Sequence, residues 1–201
     1  MKNLPNQFFY SKEEDRLNVI SHGIGFILSI IGLIFLLNKG LQDFNLLRFL
    51  SFLIYGISLS TMYIASTLYH NSKTPEGRYK FRLFDMVSIY LLIAGSYTPF
   101  TLTVLIDSGG LTLFLLVWVI AIIGIIWKIF TVGNYNVSST LLYIFMGGLW
   151  LFFIDAFINE IPQNALMWIY ASASTYLIGV FFYLADSKIK YNHFIWHIFV
   201  L

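Results

Sequence analysis

The stretch LNVISHGIGFILSIIGLIFLL, Leu17–Leu37, decides the fold. It runs for 21 residues without a Lys, Arg, Asp or Glu. An α-helix needs about 20 predominantly apolar residues to cross the hydrocarbon of a bilayer. The run contains no A-x-A-like cleavage site, so it reads as a retained span and not a signal peptide. Working outward, charged residues separate further apolar runs, with expected helices at Phe49–His70, Leu83–Ile106, Leu111–Trp127, Ser139–Ile158 and Ala165–Ala185. A seventh begins near Tyr191.

Composition agrees with that reading. Of the 201 residues, 58% are hydrophobic and 11% charged, with a mean hydropathy of +0.77. Soluble domains carry about 25% charged residues. The expected fold is therefore all-α: a polytopic membrane protein with a seven-transmembrane helix bundle, residues 1–201 forming one domain. No cysteine is present, which excludes disulfide frameworks, thiolate nucleophiles and Cys-ligated metals.

Lys and Arg concentrate on cytoplasmic loops. Ten lie on the amino-terminal side of the expected spans: Lys2, Lys12, Arg16, Lys73, Arg78, Lys80, Arg82, Lys128, Lys188 and Lys190. The other side holds Lys39 and Arg48. The expectation is a cytoplasmic amino terminus and, for an odd number of spans, a carboxyl terminus outside. From Tyr191 to Leu201 the chain offers about 17 Å of helix, against a core of about 30 Å. The last helix is expected to be cut short in this sequence.

The polar residues within the spans fall in one layer. His22, His70, Asp85, His193 and His197 all lie about 5–10 Å inside the expected cytoplasmic boundary, by helical rise from the nearest basic residue. A carboxylate inside a span is costly and normally faces a partner or water. His193 and His197, at i and i+4, share one helix face. With His70 they make three imidazoles, which suit a zinc ion with an open fourth position for water. Ser66 sits at i−4 from His70, on the same face. An ion pair with Arg82 is an alternative role for Asp85, and close helix packing is an alternative role for Ser66. Gly23, Gly25, Gly147 and Gly148 read as packing positions, Pro99 as a kink, and Asp155 and Asp186 as solvated residues near span ends. Trp118, Trp127, Trp150 and Trp168 read as interfacial anchors.

Four stretches, EEDRLNVISHGIG, STLYH, FDMVSIYLLIAGSYTPF and HFIWH, resemble in order and separation the bacterial hemolysin III family. That family is the prokaryotic branch of the progestin and adiponectin receptor superfamily. The resemblance covers essentially the whole chain and implies a seven-helix membrane protein with a zinc ion near the cytoplasmic side. It implies His70, His193 and His197 as zinc ligands, Asp85 holding the water at the open position, and Ser66 beside it. Asn18, Ser21 and His22 would be supporting polar residues. The family pattern favours Glu three residues before the Asn, where this chain has Asp15, with Glu14 adjacent.

The function expected from these residues is zinc-dependent hydrolysis of an amide or ester in an acyl lipid, in the manner of a ceramidase, within membrane lipid homeostasis. Asp85 and Ser66 would be catalytic and Zn2+ the cofactor. Two alternatives are a channel-forming cytolysin and a non-catalytic membrane-lipid sensor with structural zinc. The expected partners are the bilayer and a membrane lipid or fatty-acyl substrate, with no nucleic acid and homo-oligomerisation left open. The expected location is the bacterial cell (inner) membrane.

Overall fold

The computed structural model describes residues 10–42, 44–132, 136–186 and 189–201. Lys2 and Lys188, two of the ten basic residues counted above, lie outside them. The described chain is helical almost throughout: α1 Lys12–Leu41, α2 Leu46–Asn71, α3 Pro75–Pro99, α4 Leu111–Thr131, α5 Asn136–Gly147, α6 Ile154–Glu160, α7 Gln163–Leu184 and α8 Asn192–Val200. Six segments among the described residues are long and apolar enough to cross a membrane: Lys12–Leu41, Leu46–Asn71, Pro75–Val104, Ile106–Thr131, Val137–Glu160 and Gln163–Leu184. The seventh helix of the expected bundle, α8, has nine residues and reaches almost to Leu201.

Side chains that satisfy orphan N–H groups set the helix starts. Ser11 caps α1 by accepting from Glu14 N at 3.2 Å, and Ser11-x-x-Glu14 has the capping-box pattern. Asn45 accepts from Arg48 N at 3.0 Å before α2, and Thr74 from Gly77 N at 3.2 Å before α3. Pro75 follows Thr74 at the start of α3, where its missing N–H costs nothing. These short polar connections leave α1 packed on α2 and α2 on α3. The last helix, α8, contacts both α7 and α1.

The interior and exterior are composed as a lipid environment demands. Phe35, Phe130, Phe152 and Phe181 are each more than 70% exposed, whereas Asn18, Ser51, Ser88, Thr98 and Thr101 are fully buried. Polar groups that would be orphaned in hydrocarbon find partners within the bundle. Ser29 donates to Ser60 at 2.9 Å, and Tyr143 OH donates to Met86 O at 2.8 Å. The main apolar core packs Tyr90, Tyr97, Leu113, Val117, Met146 and Leu149 together.

Several local features differ from the sequence reading. α-Geometry ends at Pro99, and wider π-type turns cover Phe100–Val104 before a turn in which Gly109 has φ 88°. The fifth span is not one helix: it breaks after Gly147 and passes through a tight 3-10 segment, Leu149–Phe153, before α6. Gly147 and Gly148 thus mark a break and not a packing seam. A Cβ on Gly147 would meet nothing within 4 Å, and the Met146 and Gly147 carbonyls accept from Tyr97 OH at 3.0 and 2.8 Å. Gly25 is a packing position, because a Cβ there would lie 2.6 Å from the Tyr63 ring; Gly23 faces open space. Trp118 and Trp150 turn inward against the core instead of anchoring an edge, with Trp118 Nε1 donating to Thr98 Oγ1 at 3.1 Å. Trp168 is 76% exposed.

Candidate metal centre

Four helix ends bring the site together: the first turns of α1, the last turns of α2, the first turns of α3 and the start of α8. His70 is the penultimate residue of α2, and His193 and His197 occupy successive turns of α8. All three are buried, and each can offer one ring nitrogen so that the three atoms lie within 4.8 Å of one another. The ring centroids are 5.1 Å apart for His70 and His193, 4.9 Å for His70 and His197, and 4.8 Å for His193 and His197.

Each imidazole is held from behind through Nδ1. For His70 the partner is Asp15 Oδ1 at 2.8 Å, with the Asn18 amide 3.3 Å from the same nitrogen. For His193 it is Asp186 Oδ2 at 3.2 Å and Tyr10 OH at 3.0 Å. For His197 it is Ser21 Oγ at 3.4 Å. Oxygen acceptors on Nδ1 hold its proton there and leave Nε2 with its lone pair, the arrangement found around metal-bound histidines. Nε2 of His70 and of His193 is buried with no partner among the described residues. Orphaned buried nitrogens are costly and call for an explanation. A metal ion supplies one, since neutral imidazole is a common metal ligand.

Asp15 does more than orient His70. Arg78, fully buried, donates to Asp15 Oδ1 at 2.6 Å and to the Tyr69 and His70 carbonyls at 2.9 and 3.0 Å. One guanidinium therefore closes the C-terminal end of α2 and fixes the carboxylate that meets His70. Asp186 is tied as well, accepting from Tyr10 OH at 2.6 Å. Burial is the main reason the Tyr10 phenol pKa is raised well above its ordinary value, with Tyr69 and Asp186 adding to the effect. The phenol is consequently a proton donor to Asp186.

The other expected residues surround the same space. Ser66 and Asp85 stand side by side, and both line a cavity of about 280 Å³ together with His22, His193 and His197. Met62, Met86, Ile89, Leu92, Tyr176 and Trp196 form much of its remaining wall. His22 stacks on His197 with centroids 3.6 Å apart and planes at 17°. Ring lone pairs lie in the ring plane, so two stacked imidazoles do not converge on one ion. His22 supports the His197 ring, and the three that can converge are His70, His193 and His197. Asn18 and Ser21 stand behind His70 and His197.

The haemolysin-III related family model matches residues 10–201. The chain belongs to the haemolysin III family. Family relatives include Hemolysin-3 of Bacillus cereus, 40% identical over 189 residues covering 94% of this chain and 86% of that protein. The Hemolysin-3 homolog of Bacillus subtilis (strain 168) is 35% identical over 192 residues, 96% of this chain and 90% of that one. The human monocyte to macrophage differentiation factor is similar at 30% identity over 156 residues, 73% of this chain and 63% of that one. No solved structure matches the chain. This haemolysin III protein is thus an integral membrane protein of bacterial type, with a buried histidine cluster able to hold a metal ion.

Tyr10, Arg78 and Asp186 are the residues at this site that sequence reading missed. Asp186, read as solvated, is partly buried against Tyr10 and His193. Tyr10 precedes the first helix and Arg78 sits in a run of basic residues, so neither carries a periodic signal. Asp15 did have one: it shares a helix face with Asn18 and His22 at i+3 and i+7.

Proposed function

We propose that this protein is a zinc-dependent hydrolase of an amide or ester bond in an acyl lipid. The observation carrying this reading is the pair of buried, partnerless Nε2 atoms, on His70 and His193, beside a carboxylate–hydroxyl pair in a largely apolar cavity. His70, His193 and His197 hold the ion, and three imidazoles with an open fourth position suit zinc. Zinc, when bound, lowers the pKa of a water toward ~7 and polarises a carbonyl.

The chain's own residues do the rest. Asp15, Asp186 and Ser21 keep the three rings turned inward. Asp85 accepts the proton of the attacking water and returns it to the leaving amine or alkoxide. Ser66, beside Asp85, keeps that carboxylate aimed, and on rotating donates its hydroxyl proton to the developing oxyanion. The Met62, Met86, Ile89 and Leu92 side of the cavity accepts an acyl chain and excludes bulk water.

The test uses detergent-purified chain and its His70→Ala variant. About one zinc per chain by plasma mass spectrometry, with acyl-lipid turnover lost in the variant, is the expected result. Turnover that is the same in both proteins would remove the hydrolase reading. The relatives' name, Hemolysin-3, favours a second reading in which the protein permeabilises membranes. Liposome leakage that survives replacement of all three histidines would put that reading first.

A further inference from the structure

Two chain segments 183 residues apart meet at the edge of the histidine cluster. Before α1, the Ser11 cap turns the chain so that Tyr10 projects across the start of α8. Its ring stacks on His193, with centroids 4.5 Å apart and planes at 26°, and lies 5.5 Å from His70. Before α8, Tyr191 takes a left-handed conformation, φ 68°, and donates to Glu13 Oε2 at 3.1 Å. Lys190 Nζ lies 3.7 Å from the same carboxylate oxygen. A non-glycine residue at positive φ is strained and persists where its surroundings over-determine it. Here the burial of Asn192 and His193 directly after it does so.

The hydrogen-bond directions then give Tyr10 a definite job. Its hydroxyl proton goes to Asp186 Oδ2, at 2.6 Å. The phenol oxygen keeps lone pairs, and His193 Nδ1 lies 3.0 Å away. Asp186 Oδ2 is 3.2 Å from that nitrogen. With two acceptors beside it, His193 Nδ1 carries the ring proton. The opposite nitrogen, Nε2, then has its lone pair and no partner among the described residues. The stacked phenol also blocks rotation of the imidazole, and it stands in the cavity wall beside the cluster.

We propose that Tyr10 and Asp186 are positioning residues of the metal centre, which together fix the tautomer and orientation of His193 for metal binding. Tyr10 supplies one acceptor and the stacked ring, while Asp186 supplies the second acceptor and holds the phenol in place. The proposal rests on the metal reading of the cluster. It adds to that reading that the last ligand-bearing helix is set by a residue preceding the first helix.

The test is cobalt(II) binding to the full chain in detergent, followed by visible absorption and by competition with a chelator. The variants are Tyr10→Phe, which keeps the ring and loses the hydroxyl, and Asp186→Asn. Tyr191→Phe, which removes the tie to Glu13 and leaves Tyr10 and Asp186 in place, is the packing control. Loss of an outer hydrogen-bond partner typically weakens a metal site 10–100-fold. The expected result is about tenfold weaker cobalt binding for Tyr10→Phe, at least that for Asp186→Asn, shifted d–d bands in both, and no change for Tyr191→Phe. Wild-type affinity and spectrum in both Tyr10→Phe and Asp186→Asn would overturn the proposal while leaving the metal site standing. A folded wild type that takes up no cobalt would overturn the metal reading and this proposal with it. If Asp186→Asn does not fold, Tyr10→Phe decides alone.

Discussion

Asp15 Oδ1 lies 2.8 Å from His70 Nδ1, and the same oxygen accepts from Arg78 at 2.6 Å. One carboxylate oxygen therefore serves both a candidate metal ligand on α2 and a buried cation on α3. The Asp15→Asn variant keeps the shape but loses the charge that holds the His70 proton on Nδ1. We expect metal affinity to fall by about 10–100-fold. Chelator competition reads this directly, and an unchanged dissociation constant would show that Asp15 does not act through His70.

Arg78 predicts a stability effect. It is fully buried and satisfies two α2 carbonyls as well as Asp15. Removing one partner of a buried ion pair typically costs about 3–5 kcal/mol, because the other charge is left uncompensated. Arg78→Met should accordingly unfold at a markedly lower temperature in detergent than the wild type. Double replacement with Asp15→Asn should recover part of that loss. Equal melting of the Arg78→Met variant and wild type would contradict this account.

Asp85 separates binding from chemistry. It lines the cavity beside Ser66, and the proposed ligand set does not include it. Asp85→Asn is expected to retain about one zinc per chain while acyl-lipid turnover drops by about 10²–10⁴-fold, the usual contribution of a positioned acid–base group. Loss of zinc in this variant would instead make Asp85 one of the residues that hold the metal.

Gly25 tests packing under the site. A Cβ there would lie 2.6 Å from the Tyr63 ring, which stands edge-on to His22 at 5.2 Å. Tyr63 OH also donates to Val200 O at 3.1 Å, so the ring is tethered and cannot move freely. Overpacking of this kind costs about 1–3 kcal/mol. Gly25→Ala should lower the melting temperature, whereas Gly23→Ala, facing open space, should not. Identical behaviour of the two variants would refute the contrast.

Orientation is open to a direct check. The charge bias predicts that the connection between α2 and α3 is cytoplasmic and that between α1 and α2 is outside. Reporter fusions at Ser72 and at Asn45 should then report opposite compartments, with the Ser72 fusion cytoplasmic. The reverse pattern would invert the topology and put the histidine cluster toward the outside.

Much of this is legible from residue order alone. Apolar run length identifies the spans because hydrocarbon leaves the backbone no alternative to helix over such distances. The spacing of His193 and His197 puts both on one face because a helix fixes side-chain direction at i and i+4. Depth along each helix, a matter of counting residues, assigns His70 and Asp85 to the same layer. Breaks inside spans are not legible in the same way. The fifth run is largely apolar from end to end, and it divides at Gly147, whose carbonyl turns to meet Tyr97 on another helix.

The partners behind His193 are decided by tertiary structure alone. Asp186 and Tyr10 stand 176 positions apart in the chain, yet their side chains lie 2.6 Å apart. Hydrophobic periodicity records which face of a helix is buried, and says nothing about which distant carboxylate or phenol will be brought against it. Only the closing of α8 against α1 brings them together and turns three imidazoles at one depth into three whose ring nitrogens lie within reach of one ion.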